Sequence, residues 1–344
     1  NPDDMLDFRG NALVDDLALG LCGLSDVRTL HGFSARVLRR ETGARIYPKL
    51  SQVISEDAAI FLDEGNIDFD GMFCRYEGVE KHLIFYKERK NYYGKYYGFS
   101  DAIYAVAKLF EDSPNKIPKY AQIVVDEFQD FNKAEVTLIE MLAQANPILL
   151  AGDDDQSLYI DLKNASPDYI REKFGATASD CEAFSLPFCS RSTRVIVEAV
   201  NDFVISAKQH GLLKDRVRKP YRYFPCKKKD AESAAHPKIV YTRQYDGQMP
   251  FFFQKEIAKI AEHEREKFDV LVIVPPQMGK RLLPKFANAL KKKGFRNVTF
   301  PMRSADKAPT LMEGLGILLD NKDDNLGYRI VAKHILDSAD FVAF

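Results

Sequence analysis

The sequence predicts an α/β protein built around a doubly wound, mostly parallel sheet. Three apolar runs, at 123–125, 147–151 and 270–274, end abruptly in acidic or turn-forming residues. Uninterrupted apolar runs of this length are typical of strands that are buried on both faces. Segments with helical periodicity lie between them, and strands that alternate with helices favour a parallel sheet.

Three segments, 133–144, 194–207 and 282–293, repeat apolar residues at helical spacing. We therefore expect three amphipathic helices that cover the faces of the sheet. Ligands of such sheets bind at the carboxyl ends of the strands. The residues that follow each apolar run are therefore the candidates for function.

Length and composition describe an ordinary globular chain. Its 344 residues allow two to three domains, and 46% hydrophobic with 29% charged residues exclude disorder as a description of the whole chain. Lysine and arginine number 49 against 50 acidic residues, so the net charge is −1. Any site for a polyanion must therefore be a local patch.

The cysteines and the hydropathy exclude two further classes of protein. Five cysteines are spread along the chain without a CxxC pair or a nearby histidine at ligand spacing. This pattern argues against a zinc site and against a secreted disulfide framework. No window approaches the roughly 18 consecutive apolar residues of a membrane span. The sequence therefore predicts a cytoplasmic protein without a membrane partner.

Acidic and polar residues follow the first two apolar runs. Asp126 and Glu127 come directly after the first run, and the second leads into 152–159, GDDDQSLY, which contains Gln156. A carboxylate at the tip of a buried strand suits Mg²⁺ bound to nucleotide phosphates, and a second one beside it can deprotonate the attacking water. Gln156 can contact the terminal phosphate, and Arg191 can supply a cation from the next domain. Each feature alone is commonly a turn or a helix cap, but together they favour a nucleotide site.

These segments resemble the motifs of the UvrD/Rep family of superfamily 1 DNA helicases, in the right order. Motifs II and III, DEFQD and GDDDQSLY, carry the most specific resemblance. The matching segments are 8–11 with Leu17 for motif Ia, 29–33 for motif Ib, 123–130 for motif II, 150–159 for motif III, 186–201 for motif IV, and 323–329 for an Asp-rich, aromatic-Arg stretch.

The resemblance implies two RecA-like core domains with a largely helical insertion in the first. Residues 1–45 and 117–185 would form the first core domain, 46–116 the insertion, and 186–344 an incomplete second core domain. The implied activity is ATP-dependent DNA unwinding or translocation in the 3′ to 5′ direction. ATP and Mg²⁺ would be the cofactors, and single-stranded or partly duplex DNA the partner. Protein partners are not indicated.

The resemblance also implies a role for each matched residue. Asp126 would hold Mg²⁺, Glu127 would be the catalytic base, and Gln156 and Arg191 would contact the terminal phosphate. Tyr159 would stack against a base. The other implied DNA contacts are Phe8, Arg9, Asn11, Thr29, His31 and Lys163.

The sequence departs from the family pattern at both ends and within motif IV. No G-x-x-x-x-G-K-S/T motif occurs, and no segment resembles the family's motifs V and VI. Cys189 and Ser190 stand where the family usually has Asn-Tyr, whose tyrosine stacks on adenine. We therefore expect a portion of a longer helicase that is inactive by itself. The alternative is a DNA-binding or protein-interaction module that keeps the helicase shell without hydrolysis.

One further stretch, 86–97 (YKERKNYYGKYY), interleaves basic residues with rings. Such interleaving suits single-stranded nucleic acid, because cations meet phosphates while rings meet bases. A solvated helix with half-buried tyrosines has the same pattern, and the sequence leaves both interpretations open.

Overall fold

The structure is a computed structural model. It describes residues 27–62, 64–94, 96–175, 181–240, 243, 245, 247–263, 270–273, 276–295, 298–299 and 308–343. The described residues of 1–183 and 306–344 form one compact unit, and those of 184–305 form a second.

The first unit is rich in helices and contains two parallel pairs of short strands, β1 with β2 and β3 with β4. Its elements are α1 (Leu30–Thr42), β1 (Arg45–Ile46), α2 (Leu50–Phe61), α3 (Phe69–Cys74), α4 (Glu80–Tyr92), β2 (Tyr96–Tyr97), α5 (Phe99–Asp112), β3 (Ile123–Val125), α6 (Lys133–Ala143), β4 (Ile148–Leu150), α7 (Ile160–Lys163), α8 (Asp168–Gly175), α13 (Leu311–Asp320), α14 (Asn325–Ile335) and α15 (Ser338–Ala343), with 3₁₀ turns at Pro114–Lys116 and Phe128–Asp130.

A first hydrophobic core joins α1, α5 and α6 to strand β3. Phe110, Phe128 and Leu138 are fully buried in it, and Val125 of β3 packs there as well. Helix α6 begins with a capping box, in which Asn132 and Glu135 each accept a hydrogen bond from the backbone of the other. This core supports the two strand ends from one side.

A second core joins the helices of 50–92 to the C-terminal helices of the first unit. Leu50, Phe69 and Tyr86 pack there with Leu326 and Ile330 of α14. Residues 308–343 therefore fold with the first unit. The sequence prediction had assigned all of 186–344 to one second core domain, whereas the structure divides that range between the two units. The RecA-like arrangement itself stays a prediction.

The predicted strands at 123–125 and 147–151 are confirmed as β3 and β4. They pair in parallel, with Ile123 opposite Ile148 and Val125 opposite Leu150. The side chains of Val124 and Leu149, which are opposite each other in this register, are exposed. The strands are therefore buried on one face only, whereas the sequence predicted burial on both.

The second unit contains one parallel pair and four helices among its described residues. The elements are β5 (Phe188–Cys189), α9 (Arg194–Gln209), β6 (Arg222–Tyr223), α10 (Lys227–Ala235), α11 (Met249–His263) and α12 (Pro276–Lys292). The three predicted helices are confirmed as α6, α9 and α12, each within a few residues at the ends except for the start of α12.

The prediction of a buried strand at 270–274 is wrong for the part that the structure describes. Residues 270–273 are not in a strand, and the side chains of Leu271 and Ile273 are 83% and 84% exposed. An apolar run needs a neighbouring strand to become a buried strand, and no described residue pairs with this one. Its composition alone therefore does not bury it.

Most tyrosines of the stretch 86–97 pack in the interior of the protein. Tyr86, Tyr93 and Tyr96 are buried, whereas Tyr92 is more than half exposed. Lys90 lies over the ring of Tyr97, at 3.7 Å from its centroid. Tyr86, Tyr93 and Tyr96 therefore belong to the second core, Tyr97 packs against the first, and Tyr92 is the most exposed ring of the stretch.

None of the described helices combines the length and the apolar composition that crossing a membrane requires.

Candidate functional site

The carboxyl ends of β3 and β4 lie side by side and are joined by backbone hydrogen bonds. The Ala151 N–H donates to the Val125 carbonyl at 2.8 Å, and the Phe128 N–H donates to the Ala151 carbonyl at 3.0 Å. The side chain of Phe128 is fully buried in the first core. The loops that carry motifs II and III therefore leave the sheet together.

Asp126 and Glu127 stand at the tip of β3 with exposed side chains. Glu127 has a left-handed backbone, with φ of 52° and ψ of 40°, and its N–H donates to Asp126 Oδ1 at 2.9 Å. Non-glycine residues adopt this region at a cost and are often found at functional sites. The conformation turns the chain sharply after the strand.

Gln129 connects the two loops and is a residue that the sequence analysis missed. Its side chain is fully buried; the Nε2 donates to Glu127 Oε2, and the Oε1 accepts from the Asp153 N–H at 3.0 Å. Glu127 and Asp153 are thus linked by one side chain. Residue type did not signal this role, because it depends on which strands are neighbours.

Gly152 lies in a crowded position beside the same contact. A β-carbon there would lie 2.6 Å from Gln129 Oε1 and 2.6 Å from Ile170 Cδ1, and 3.2 Å from the backbone nitrogen of Phe128. A side chain at this position would therefore force Gln129, Ile170 or the loop backbone to shift.

Gln156 folds back onto Asp153. Its N–H donates to the Asp153 carbonyl at 2.9 Å, and its Nε2 donates to Asp153 Oδ2 at 2.7 Å. The structure thus brings Asp126, Glu127 and Gln156 to one end of one strand pair, with Gln129 and Asp153 between them.

The three aspartates 153–155 have a structural explanation. Their carboxylate oxygens lie within 4.8 Å of one another. Asp154 is buried and accepts a hydrogen bond from Arg171 Nε at 3.0 Å, while Asp153 accepts from Gln156 and from the Asp155 N–H. The acidic run therefore organises its own loop and anchors helix α8.

Tyr159 and Lys163 lie at the two ends of helix α7. Tyr159 is partly exposed, and Lys163 Nζ lies 5.6 Å from its ring centroid and 5.7 Å from that of Phe131. Lys163 also pairs with Glu135 at 3.5 Å. The ring and the cation predicted to contact DNA are therefore neighbours.

Thr29 and His31, two further residues that the resemblance assigns to DNA, make contacts with other parts of the first unit. Thr29 caps helix α1 by accepting from the Gly32 N–H at 3.1 Å, and the His31 ring packs edge-on against Phe99 at 5.0 Å. These contacts give both residues a structural role. Phe8, Arg9 and Asn11 lie outside the described residues.

Arg191 belongs to the second unit, in the loop between β5 and α9, where its side chain is exposed. Cys189 precedes it and accepts a hydrogen bond from the Ser192 N–H at 3.4 Å. Burial opposes ionisation of this thiol, but hydrogen bonds from Tyr221 and from the backbone of Ser192 and Arg191 outweigh it and lower the pKa of Cys189 to about 7. A thiol of this kind cannot replace an aromatic ring as a stacking surface.

The strand-end cluster suits phosphoryl transfer. Exposed carboxylate oxygens are the donors that Mg²⁺ prefers, so Asp126 fits as a ligand of that ion. The adjacent Glu127 is held by Gln129, and the amide of Gln156 stands on the neighbouring loop. Carboxylates and an amide at the ends of parallel strands are the arrangement that such sites use.

Comparison with known proteins finds similarity to DNA helicases. Residues 74–174 match the family described as the UvrD/REP helicase N-terminal domain. The chain is 29% identical over 149 residues to the putative ATP-dependent DNA helicase YjcD of Bacillus subtilis, covering 40% of this chain and 19% of that protein. It is 41% identical over 66 residues to DNA helicase II of Haemophilus influenzae, covering 18% and 9%.

A third relative is the ATP-dependent DNA helicase PcrA of Staphylococcus aureus, at 32% identity over 115 residues, which cover 31% of this chain and 15% of PcrA. The chain thus matches less than a fifth of the length of each of these relatives. Residues 74–174 are thus similar to the UvrD/REP helicase N-terminal domain, and parts of the chain are similar to the three DNA helicases named above. The resemblance drawn from the motifs is confirmed.

Proposed function

We propose that this chain is part of an ATP-dependent DNA helicase or translocase that couples ATP hydrolysis to 3′ to 5′ movement along single-stranded DNA. One observation carries the proposal: Asp126, Glu127 and Gln156 lie at the same end of a parallel strand pair, and Gln129 links Glu127 to the motif III loop. The match to helicases of the UvrD and PcrA type supports it.

Each residue has a defined part in the proposed reaction. Glu127 would accept a proton from the water that attacks the terminal phosphate of ATP, and Asp126 would hold Mg²⁺. That ion, when bound, would neutralise charge on the phosphates. Gln156 and Arg191 would contact the terminal phosphate.

The hydrogen-bonded connection offers a way to couple the nucleotide to DNA. Gln129 bonds to Glu127 and to the Asp153 N–H, and Asp153 in turn holds Gln156. The same loop continues to Tyr159, which begins helix α7. A shift of Gln156 toward a phosphate would therefore act on a segment that ends in the proposed base-stacking ring.

DNA binding is proposed for Tyr159 and Lys163, and for Phe8, Arg9, Asn11, Thr29 and His31. Stacking on an aromatic ring tolerates any base, which suits a motor that moves along DNA. Lys163 lies beside the Tyr159 ring, where a cation can meet the phosphate that follows a stacked base.

The test is the DNA-stimulated ATPase rate of the full-length gene product. We expect Glu127→Gln to reduce this rate by about 10²- to 10⁴-fold, because it removes the general base. DNA affinity should be unchanged in the same variant. The matched control is Glu77→Gln, an exposed glutamate of the same unit that pairs with Arg75, and it should keep the full rate.

Two outcomes would contradict the proposal. A full rate in Glu127→Gln would show that Glu127 is not the base. DNA binding without any ATPase activity in the full-length protein would favour the non-hydrolysing module instead.

A further inference from the structure

A pocket of about 490 Å³ lies in the first unit among helices α2, α4, α14 and α15. Its lining includes Asp57 of α2, Arg89 and Tyr92 of α4, and Tyr328 and Arg329 of α14. None of its described lining residues belongs to the strand-end cluster. The volume is within the range of sites that hold small ligands or single nucleotides.

The floor of the pocket is an ionic centre. Asp57 is 1% exposed, and its two carboxylate oxygens accept from Arg89 Nε at 2.9 Å and from Arg329 Nε at 2.8 Å. Arg89 Nη2 also donates to the Tyr93 hydroxyl at 2.7 Å, and Arg329 Nη2 donates to Glu56 at 3.1 Å. A guanidinium group has five N–H donors, and these bonds engage the Nε and Nη2 atoms.

The walls of the pocket are aromatic and open to solvent. Phe61, Tyr92 and Tyr328 are 62%, 56% and 47% exposed, and they come from three different helices. The Arg89 guanidinium carbon lies 4.9 Å from the ring centroids of both Phe61 and Tyr92. Rings that surround a fixed guanidinium present flat apolar surface and positive charge together.

The packing of the helices fixes these groups before any ligand binds. Asn325 Nδ2 donates to the Tyr92 carbonyl at 2.9 Å, which ties the end of α4 to the start of α14. Leu326 and Ile330 of α14 are fully buried in the second core. Tyr328 and Arg329 therefore stand on an anchored helix, and little ordering entropy would be lost on binding.

The charge of the site favours an anion. Among the described residues, Arg89, Arg329 and Lys333 form their ion pairs with Asp57 and Glu56. Three cations against two carboxylates leave one positive charge. Flat rings, guanidinium groups and a surplus positive charge are the combination that binds single-stranded nucleic acid.

We propose that this pocket binds an unstacked base of single-stranded DNA, with the rings of Tyr92 and Tyr328 both against the base and the arginines directed at its phosphate. The proposal rests on the proposed function, since DNA is the substrate assumed there. It adds a contact of the first unit with DNA outside the motif residues. It also gives a role to Tyr92, the exposed ring in the tyrosine-rich stretch.

The test is the fluorescence anisotropy of a labelled single-stranded oligothymidine of about 20 nucleotides, titrated with the whole chain. Tyr92→Ala and Tyr328→Ala should each weaken the affinity about fivefold or more, because each removes a stacking surface. Tyr92→Phe should restore it. Tyr120→Ala is the matched control, since Tyr120 is a partly exposed tyrosine of the same unit outside the pocket, and it should bind within twofold of the wild type.

A second measurement maps the contact directly. Ultraviolet cross-linking of the wild-type chain to an oligonucleotide that carries 5-iododeoxyuridine should attach the base to Tyr92 or Tyr328, identified by mass spectrometry. This readout does not depend on whether a variant folds. Cross-links at Tyr159 alone, together with unchanged affinity in both alanine variants, would overturn the pocket and leave the proposed function standing. Failure of both the chain and the full-length protein to bind DNA would overturn the proposed function as well.

Discussion

Asp57 and Asp126 are aspartates of the same unit in opposite surroundings. Asp57 is buried and shared between Arg89 and Arg329, with Tyr93 as a further partner. Asp126 is exposed, and its carboxylate accepts from the adjacent Glu127 N–H. The first carboxylate joins three helices, whereas the second remains accessible to a ligand.

This difference separates a carboxylate that holds the fold from one that is free to bind a ligand. A buried carboxylate must be paired, because removal from water costs several kcal/mol that only nearby cations and donors can offset. An exposed carboxylate at a strand end carries no such requirement and can exchange water for a metal ion. The exposure of Asp126 and Glu127 therefore supports their proposed roles more strongly than their residue types do.

The largest expected effect is the loss of stability when the buried Asp57 is replaced. Asp57→Asn should lower the free energy of unfolding by about 3–5 kcal/mol, because it leaves two arginines in the interior without their shared anion. Asp126→Asn should change it by no more than about 0.5 kcal/mol. Urea denaturation followed by circular dichroism measures both. Similar values for the two variants would show that the Asp57 centre does not stabilise the fold.

The second prediction concerns a buried carboxylate that lacks this complete pairing. Burial raises the pKa of Asp101 to about 7, although Lys90 at 3.9 Å and the Tyr86 hydroxyl at 3.0 Å act against it. Its Oδ1 has no hydrogen-bond partner among the described residues. Asp101 is therefore protonated more readily in the folded state than in the unfolded chain. Asp57, by contrast, is paired with two arginines.

The pH dependence of stability follows from the direction of this shift. Between about pH 4 and 7, Asp101 is ionised in the unfolded chain but protonated in the folded one. The folded state then binds more protons, so the free energy of unfolding falls as the pH rises, by up to about 1.4 kcal/mol per pH unit. Above pH 7 the contribution no longer changes.

Asp101→Asn should remove this slope, and Asp112→Asn, an exposed residue of the same helix, should leave it unchanged. The measurement is the free energy of unfolding from urea titrations at pH 4, 5, 6 and 7. An identical slope in Asp101→Asn and the wild type would assign the pH dependence to other groups.

The sequence predicted the elements better than the connections between them. Strands β3 and β4 and helices α6, α9 and α12 follow from local patterns, because periodicity and apolar runs are properties of short segments. The run at 270–273 shows the limit of this reasoning, since its composition suits a strand but no described strand pairs with it.

Long-range pairing was also outside the reach of the sequence. The contact of Asp57 with Arg329 joins residues that are 272 positions apart, and nothing near either residue indicates the other. Within the candidate site, Asp126, Glu127 and Gln156 could be proposed from residue type and order. The linking role of Gln129 could not, because it depends on the register of two strands.

A third prediction tests how tightly the two strand-end loops are joined. Gly152→Ala should lower the free energy of unfolding by about 1–3 kcal/mol, because the new β-carbon would meet Gln129, Ile170 and the Phe128 backbone. Gly175→Ala is the control, since a β-carbon there meets nothing within 4 Å. Denaturation of the two variants compares them directly. Equal stability would mean that the loops separate without cost, and the link through Gln129 would then be weak.

The smallest expected effect compares one helix cap in each region. Asn132 and Glu135 form the capping box of α6 beside the strand ends, and Thr310 and Glu313 form that of α13. Burial raises the pKa of Glu135, although the charge of Lys163 lowers it in part. Glu313 is more exposed; burial raises its pKa too, but Lys49 and Thr310 outweigh this effect and lower the pKa below its usual value. The first box is therefore the more desolvated.

Asn132→Ala should accordingly cost about 1–2 kcal/mol of unfolding free energy, and Thr310→Ala about 0.5–1 kcal/mol. The Asn132 side chain is buried. Its loss removes the acceptor of the Glu135 N–H, and water cannot reach this position to take its place. Thr310 is partly exposed, and water can take the place of its hydroxyl. Urea denaturation of both variants decides the order, and a larger loss for Thr310→Ala would show that burial does not set the strength of these caps.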